Sequence, residues 1–217
     1  MKGDNRPILL LSTAAFVVCS AVAGAGLFRP LDIWMLGLAQ GQDSKVMDAA
    51  GLVTSVVGGV EFVTVAAVAL AAGLFFEGRR RLALRLLVAF VVTGLIEMLF
   101  KTVVPQAPVP GDALHSPDPS LLDISTPYPY PSGHMIRAVL LLGATYLLWP
   151  NKLGRTTIVA FLIASAASRL YLGAHWPSDV LGGALLGVAG LAWAFDSHRP
   201  SAFGRRRAIA RVPTARR

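Results

Sequence analysis

At 217 residues, 54% hydrophobic and only 15% charged, with a mean hydropathy of +0.60, the chain is too apolar for an ordinary soluble domain. Its net charge of +8 argues against a nucleic-acid partner, because much of it sits in Arg79-Arg80-Arg81 and in residues 199–217, beside apolar runs. The single cysteine, Cys19, excludes an internal disulfide framework and reads as a small buried or lipid-facing residue.

In chain order, residues 7–28 form a first apolar span, preceded by Lys2 and Arg6. Ala21-Val22-Ala23 has the small-x-small form of a signal cleavage site. The apolar run is longer than the ~7–15 residues of a signal-peptide core, so an uncleaved helix is expected. Residues 29–50 are a mixed connection with Asp32, Asp43 and Asp48, in which 31–38 are expected as a short helix on the membrane surface. The second span, 51–76, carries Glu61 and is mildly broken by Gly58-Gly59; a basic turn, 77–81, follows. The third span, 82–100, ends at Glu97 and Lys101.

Residues 102–130 are the longest connection and hold prolines at 105, 108, 110, 117, 119, 127 and 129, which is the composition of a lid or an unstructured loop. Tyr128 and Tyr130 read as interfacial anchors there. Spans four, five and six cover 134–149, 156–172 and 176–195, with a basic turn at 151–155. The expectation is an all-α integral membrane protein: one six-helix domain over 1–198 and a disordered basic tail over 199–217.

Lys and Arg in short connections mark the cytoplasmic side. The N-terminus, the turns at 77–81 and 151–155, and the tail therefore face the cytoplasm of a multi-pass protein in the cell membrane. By parity, Lys101, His134, Arg169 and His175 all meet at the opposite, outer face. That convergence comes from topology alone.

The chemistry of these residues suits a phosphoryl group. In Pro131-Ser132-Gly133-His134, Ser132 is a good N-cap, and the unpaired N–H groups at the start of the following helix form an anion site with His134 at its rim. In Ser168-Arg169-x5-His175-x3-Asp179, Pro177 suits a first helical turn, and the spacing of four lets Asp179 reach the His175 ring. A carboxylate on one ring nitrogen leaves the other as base or nucleophile. Arg169 offers a planar fork of donors for phosphate oxygens.

Lys101 and these two runs resemble the three motifs of the type 2 phosphatidic acid phosphatase family, which includes bacterial polyprenyl diphosphate phosphatases, glucose-6-phosphatase and vanadium haloperoxidases. The resemblance covers about Lys101 to Asp179. It implies a helical-bundle core of the phosphatidic acid phosphatase/haloperoxidase type and a metal-independent phosphatase without cofactor, working through a phosphohistidine on a lipid phosphate or diphosphate. By position, His175 would attack phosphorus, Asp179 would orient it, and His134 would protonate the leaving oxygen and then activate water. Lys101, Ser132, Gly133 and Arg169 would hold the phosphate.

One departure stands out. The family's first motif places Arg-Pro seven residues after the Lys, whereas here Pro108-Val109 stands there. Arg137, one helical turn from His134, is a candidate substitute; its alternative role is to pair with Glu97 or Glu61. Lys101 is likewise spaced for a helix-end pair with Glu97. No His-x3-His or Cys-x2-Cys spacing suggests a metal site. His115, Asp123 and His198 fit no motif, and Gly183 and Gly187 read as a close helix–helix contact. A lipid-linked phosphotransferase and a non-catalytic phospholipid binder or transporter are the competing readings, and oligomeric state is not readable.

Overall fold

The computed structural model describes residues 4–41, 45–113 and 126–196; the side chain of residue 112 is not included. Among them are eight α-helices: α1 (Arg6–Gly24), α2 (Arg29–Gln40), α3 (Lys45–Gly58), α4 (Val60–Phe76), α5 (Arg80–Val103), α6 (Gly133–Leu148), α7 (Lys152–Tyr171) and α8 (Pro177–Phe195). A short 3-10 turn covers Gly111–Ala113. His115, Asp123, His198 and the expected disordered tail lie outside the described residues.

Four helices, α1, α5, α7 and α8, are long and apolar enough to cross a membrane. A fifth span results if α3 and α4, bent by 53°, are taken as one broken span. The expected sixth is α6, and its 16 residues reach only about 24 Å at 1.5 Å per residue, short of a bilayer core of about 30 Å. By length and composition, the described residues hold four to five helices that meet this measure, with α6 as a shorter apolar helix.

Boundaries also move. The first helix stops at Gly24, and the chain turns through Gly26 at φ 71°, a conformation that suits a residue without Cβ. The surface helix α2 runs from Arg29 to Gln40, longer than expected, with Leu31, Ile33, Trp34 and Leu38 exposed and Asp32 buried. The break at Gly59 is a sharp bend, not a mild one, since that residue is extended at ψ 154°.

The bundle is built around α8. Over half of its apolar window (56%) is buried, against 28% for α1 and α5 and 22% for α7. The packing against α6 depends on small residues: a Cβ on Gly187 would lie 2.8 Å from Val139 Cβ, and one on Gly183 would press on the Ser132 carbonyl and on Met135. The expected close contact at Gly183 and Gly187 is thus present. Tyr130 corrects another expectation. It is fully buried, stacked on Phe16, with its hydroxyl 3.0 Å from Ser20 Oγ, and so is a core residue rather than an interfacial anchor. Cys19 is buried in the same core.

Helix directions bring the start of α6, the start of α8 and the end of α5 to one end of the bundle. At the other end, the Asn5 N–H donates to Asp196 Oδ1 at 3.3 Å, and Arg85 donates to the carbonyls of Trp193 and Asp196.

Candidate active site

The third motif is a turn closed by its own backbone. Ala174 and His175 donate their N–H groups to the Arg169 carbonyl at 3.0 and 3.3 Å. Gly173 makes the turn possible at φ 68°, and a side chain there would also run into the Ala113 carbonyl. Pro177 then starts α8. Asp179, in the first turn and fully buried, accepts the Trp176 N–H at 3.0 Å and His175 Nδ1–H at 3.2 Å, both on Oδ2. One carboxylate oxygen therefore caps the helix and holds the histidine ring.

The second motif is tied to the third through the main chain: the Ser132 N–H donates to the Asp179 carbonyl at 3.0 Å. Ser132 is buried and caps α6, its Oγ accepting the Met135 N–H at 3.4 Å. Gly133 opens α6, where its N–H has no acceptor within the helix. The Glu97 carboxylate packs so closely on Gly133 that a Cβ there would collide with it.

Glu97, itself buried, also organises the cations. Its Oε1 lies 3.2 Å from Lys101 Nζ and its Oε2 lies 3.2 Å from Arg137 Nη1. The Lys101–Glu97 pair expected from spacing is thus formed, and of the two acids weighed for Arg137, Glu97 is its partner. The Arg137 Nε remains buried without a hydrogen-bond acceptor among the described residues.

His134 lies within electrostatic range of Arg169, Arg137 and His175, and Lys101 within range of Asp179. The structure thus gathers the residues singled out from sequence around one end of α6 and α8. The void lined by His134, Arg169, Thr54 and Gly58 measures about 10 Å³, room for no more than a water.

Sequence reading missed the contribution of α3. The Ser55 carbonyl meets His134 Nε2 at 3.3 Å, and the Ser55 hydroxyl accepts from Arg169 Nη2. Thr54 Oγ1 donates to Ser168 Oγ at 2.6 Å, and the Tyr171 hydroxyl donates to Asp48 Oδ1 at 2.6 Å, so α3 is fastened along α7. The available signal was a Thr-Ser pair four residues before two glycines in an apolar span.

Also missed was a polar cluster beneath Asp179. Asp32 of α2 accepts the Ser178 N–H at 2.9 Å and the Ser178 hydroxyl at 2.7 Å. Burial pushes the Asp32 carboxyl up, against the Ser178 hydrogen bonds that pull it down. Gln106 Nε2 donates to Ser178 Oγ at 2.8 Å, and Trp176 Nε1 donates to the Ala107 carbonyl at 2.8 Å.

Among the described residues, no three His, Cys, Asp or Glu side chains converge into a group that could hold a metal ion.

Two histidines, two buried carboxylates and three cations thus meet at one end of an apolar helical bundle, an arrangement whose chemistry suits an anion. A family model described as the PAP2 superfamily matches residues 82–202, more than half of the chain, and the chain belongs to that superfamily. Among curated relatives, the undecaprenyl-diphosphatase of Sulfolobus acidocaldarius is 31% identical over 123 residues, 52% of this chain and 54% of that one. Phosphatidylglycerophosphatase B of Escherichia coli K12 is 42% identical over 69 residues, 30% of this chain and 26% of that one. The match therefore spans about half of the first relative and about a quarter of the second. The crystal structure of a transmembrane PAP2-type phosphatidylglycerolphosphate phosphatase from Bacillus subtilis superposes with a TM-score of 0.65 at 20% identity, covering 94% of this chain and 98% of that one. That likeness establishes the shared fold.

Proposed function

We propose that the protein is a metal-independent lipid phosphate or diphosphate phosphatase that works through a phosphohistidine at the extracytoplasmic membrane face. The observation that carries this reading is the His175–Asp179 pair at 3.2 Å, backed by a fully buried carboxylate and tied to the Ser132–His134 segment through the Ser132–Asp179 main-chain bond. With Nδ1–H held by Asp179, the ring lone pair belongs to Nε2, which attacks phosphorus as the bond to the leaving oxygen breaks. His134 gives that oxygen a proton. In the second half, His134 takes a proton from water, the water oxygen attacks phosphorus, and the P–N bond breaks to release phosphate.

Lys101, Arg169, Ser132 and the Gly133 N–H hold the equatorial oxygens as charge spreads over them. Arg137 supplies the contact that the absent motif-one arginine would have made, through donors not taken by Glu97. A lipid substrate follows from a site at the end of apolar helices, at headgroup level, and the named relatives act on that class by name. The acid-rich 29–50 connection and the basic turns support an outward-facing site.

The test is phosphate release by the purified protein in detergent with EDTA, using phosphatidate, phosphatidylglycerol phosphate and a C55-type polyprenyl diphosphate. Release is expected to persist in EDTA and to fall by about a thousandfold or more in His175→Ala. Loss of release in EDTA, or turnover that survives His175→Ala, would overturn the mechanism. In Arg137→Ala, inhibition by a phosphate analogue is expected to weaken about tenfold; unchanged inhibition in folded protein would remove Arg137 from the site.

A further inference from the structure

The polar cluster beneath Asp179 has no role in the mechanism above, yet it leads straight to the reacting pair. Asp179 Oδ2 is doubly occupied, by His175 Nδ1–H and by the Trp176 N–H. Asp179 Oδ1 is buried and has no partner of good geometry among the described residues. The Gln106 amide is anchored on Ser178, the neighbour of Asp179 in the first turn of α8. Its Nε2 carries two hydrogens, of which the bond to Ser178 Oγ at 2.8 Å uses one. Ser178 is fixed in turn by two hydrogen bonds to Asp32. All four residues of the chain, Asp32, Ser178, Gln106 and Asp179, are buried.

We propose that Gln106 is a positioning residue for the Asp179–His175 pair, giving its second amide hydrogen to Asp179 Oδ1 while Ser178 and Asp32 hold it from behind. The inference rests on the reading of His175 and Asp179 as the reacting pair. A carboxylate bonded through one oxygen turns about its Cβ–Cγ bond and carries that oxygen off the histidine; a donor on the second oxygen fixes its plane. Gln106 Oε1 is itself buried without a hydrogen-bond partner among the described residues, so the amide is held through Nε2, the atom that donates to Ser178. The arrangement gives the segment after Lys101 a function where the family's arginine is absent. Gln106 stands two residues before Pro108, and the Trp176–Ala107 bond pins the same stretch to the start of α8. It also makes α2, through Asp32, part of the scaffold of the site.

The experiment compares Gln106→Leu and Ser178→Ala with the wild-type full chain in detergent. Two readouts are used: kcat and KM for the lipid that the wild type hydrolyses, and ¹⁵N spectra of histidine-labelled protein, with His175 assigned by His175→Ala. Gln106→Leu is expected to lower kcat about ten- to a hundredfold and to leave KM within about twofold. Its His175 ring is expected to move from the Nδ1–H tautomer toward a mixture. Ser178→Ala keeps the amide and removes its anchor, so a smaller fall in kcat and a partial ring shift are expected. If Gln106→Leu does not fold, Ser178→Ala decides alone. Unchanged kcat with unmoved ring signals, or a defect confined to KM, would overturn the proposal. Should the wild type hydrolyse none of the lipids, the functional reading fails, while the ring signals still decide the role of Gln106.

Discussion

Two regions of the molecule carry glycine pairs, and they use them in opposite ways. In α8, Gly183 and Gly187 stay helical and let α6 come close enough for a Cβ to have no room beside Ser132, Met135 and Val139. Between α3 and α4, Gly58-Gly59 ends one helix and starts the next at a 53° bend, and Gly58 admits the His134 ring. The first pair sets the distance between the helices that bear the second and third motifs. The second aims Ser55 at His134 and Arg169. Glycine supplies space in the seam and a change of direction at the break.

Substitutions separate these uses. The largest effect is expected for Gly187→Leu, which would overfill the α6–α8 seam and lower stability by about 1–3 kcal/mol, measured as thermal unfolding in detergent. Its control is Gly94→Leu on α5, where a Cβ meets nothing within 4 Å. That variant is expected to keep or slightly raise the melting temperature, because leucine is a better helix former by about 0.8 kcal/mol. Equal losses in the two would show that the seam is not close-packed. Next in size is Gly58→Ala, whose Cβ would stand 2.9 Å from His134 Cδ2. Phosphate release should drop about tenfold with little change in melting temperature; unaltered turnover would detach α3 from the site. The smallest effect belongs to Ser55→Ala, which removes the hydroxyl from Arg169 and keeps the carbonyl at His134. A rise in KM of about two- to fivefold is expected, and a fall in kcat alone would contradict phosphate binding by Arg169.

Much of this architecture was legible before the fold was known. The 3.6-residue arithmetic that puts Asp179 four positions after His175 predicted their contact, because a first helical turn leaves little choice. Lys101 and Glu97 followed from the same spacing. The limits of that arithmetic show in Arg137, whose partner among Glu97 and Glu61 was open until the crossing of α5 and α6 chose Glu97. Ser55, Asp32 and Gln106 were invisible for a different reason. A serine in an apolar span, an acid in a surface helix and an amide between prolines have no local feature that marks a partner, since their partners lie 72 to 146 residues away or on another helix.

The sequence by itself determined the apolar helices, the order of the motifs and the meeting of Lys101, His134, Arg169 and His175 at one end, because hydropathy and parity are properties of the chain. Tertiary packing decided the rest. It made α8 the centre, buried Tyr130 instead of leaving it at an interface and bent the α3–α4 pair. Each of these depends on what a residue meets across the bundle, and distances between helices are set by the side chains of both partners.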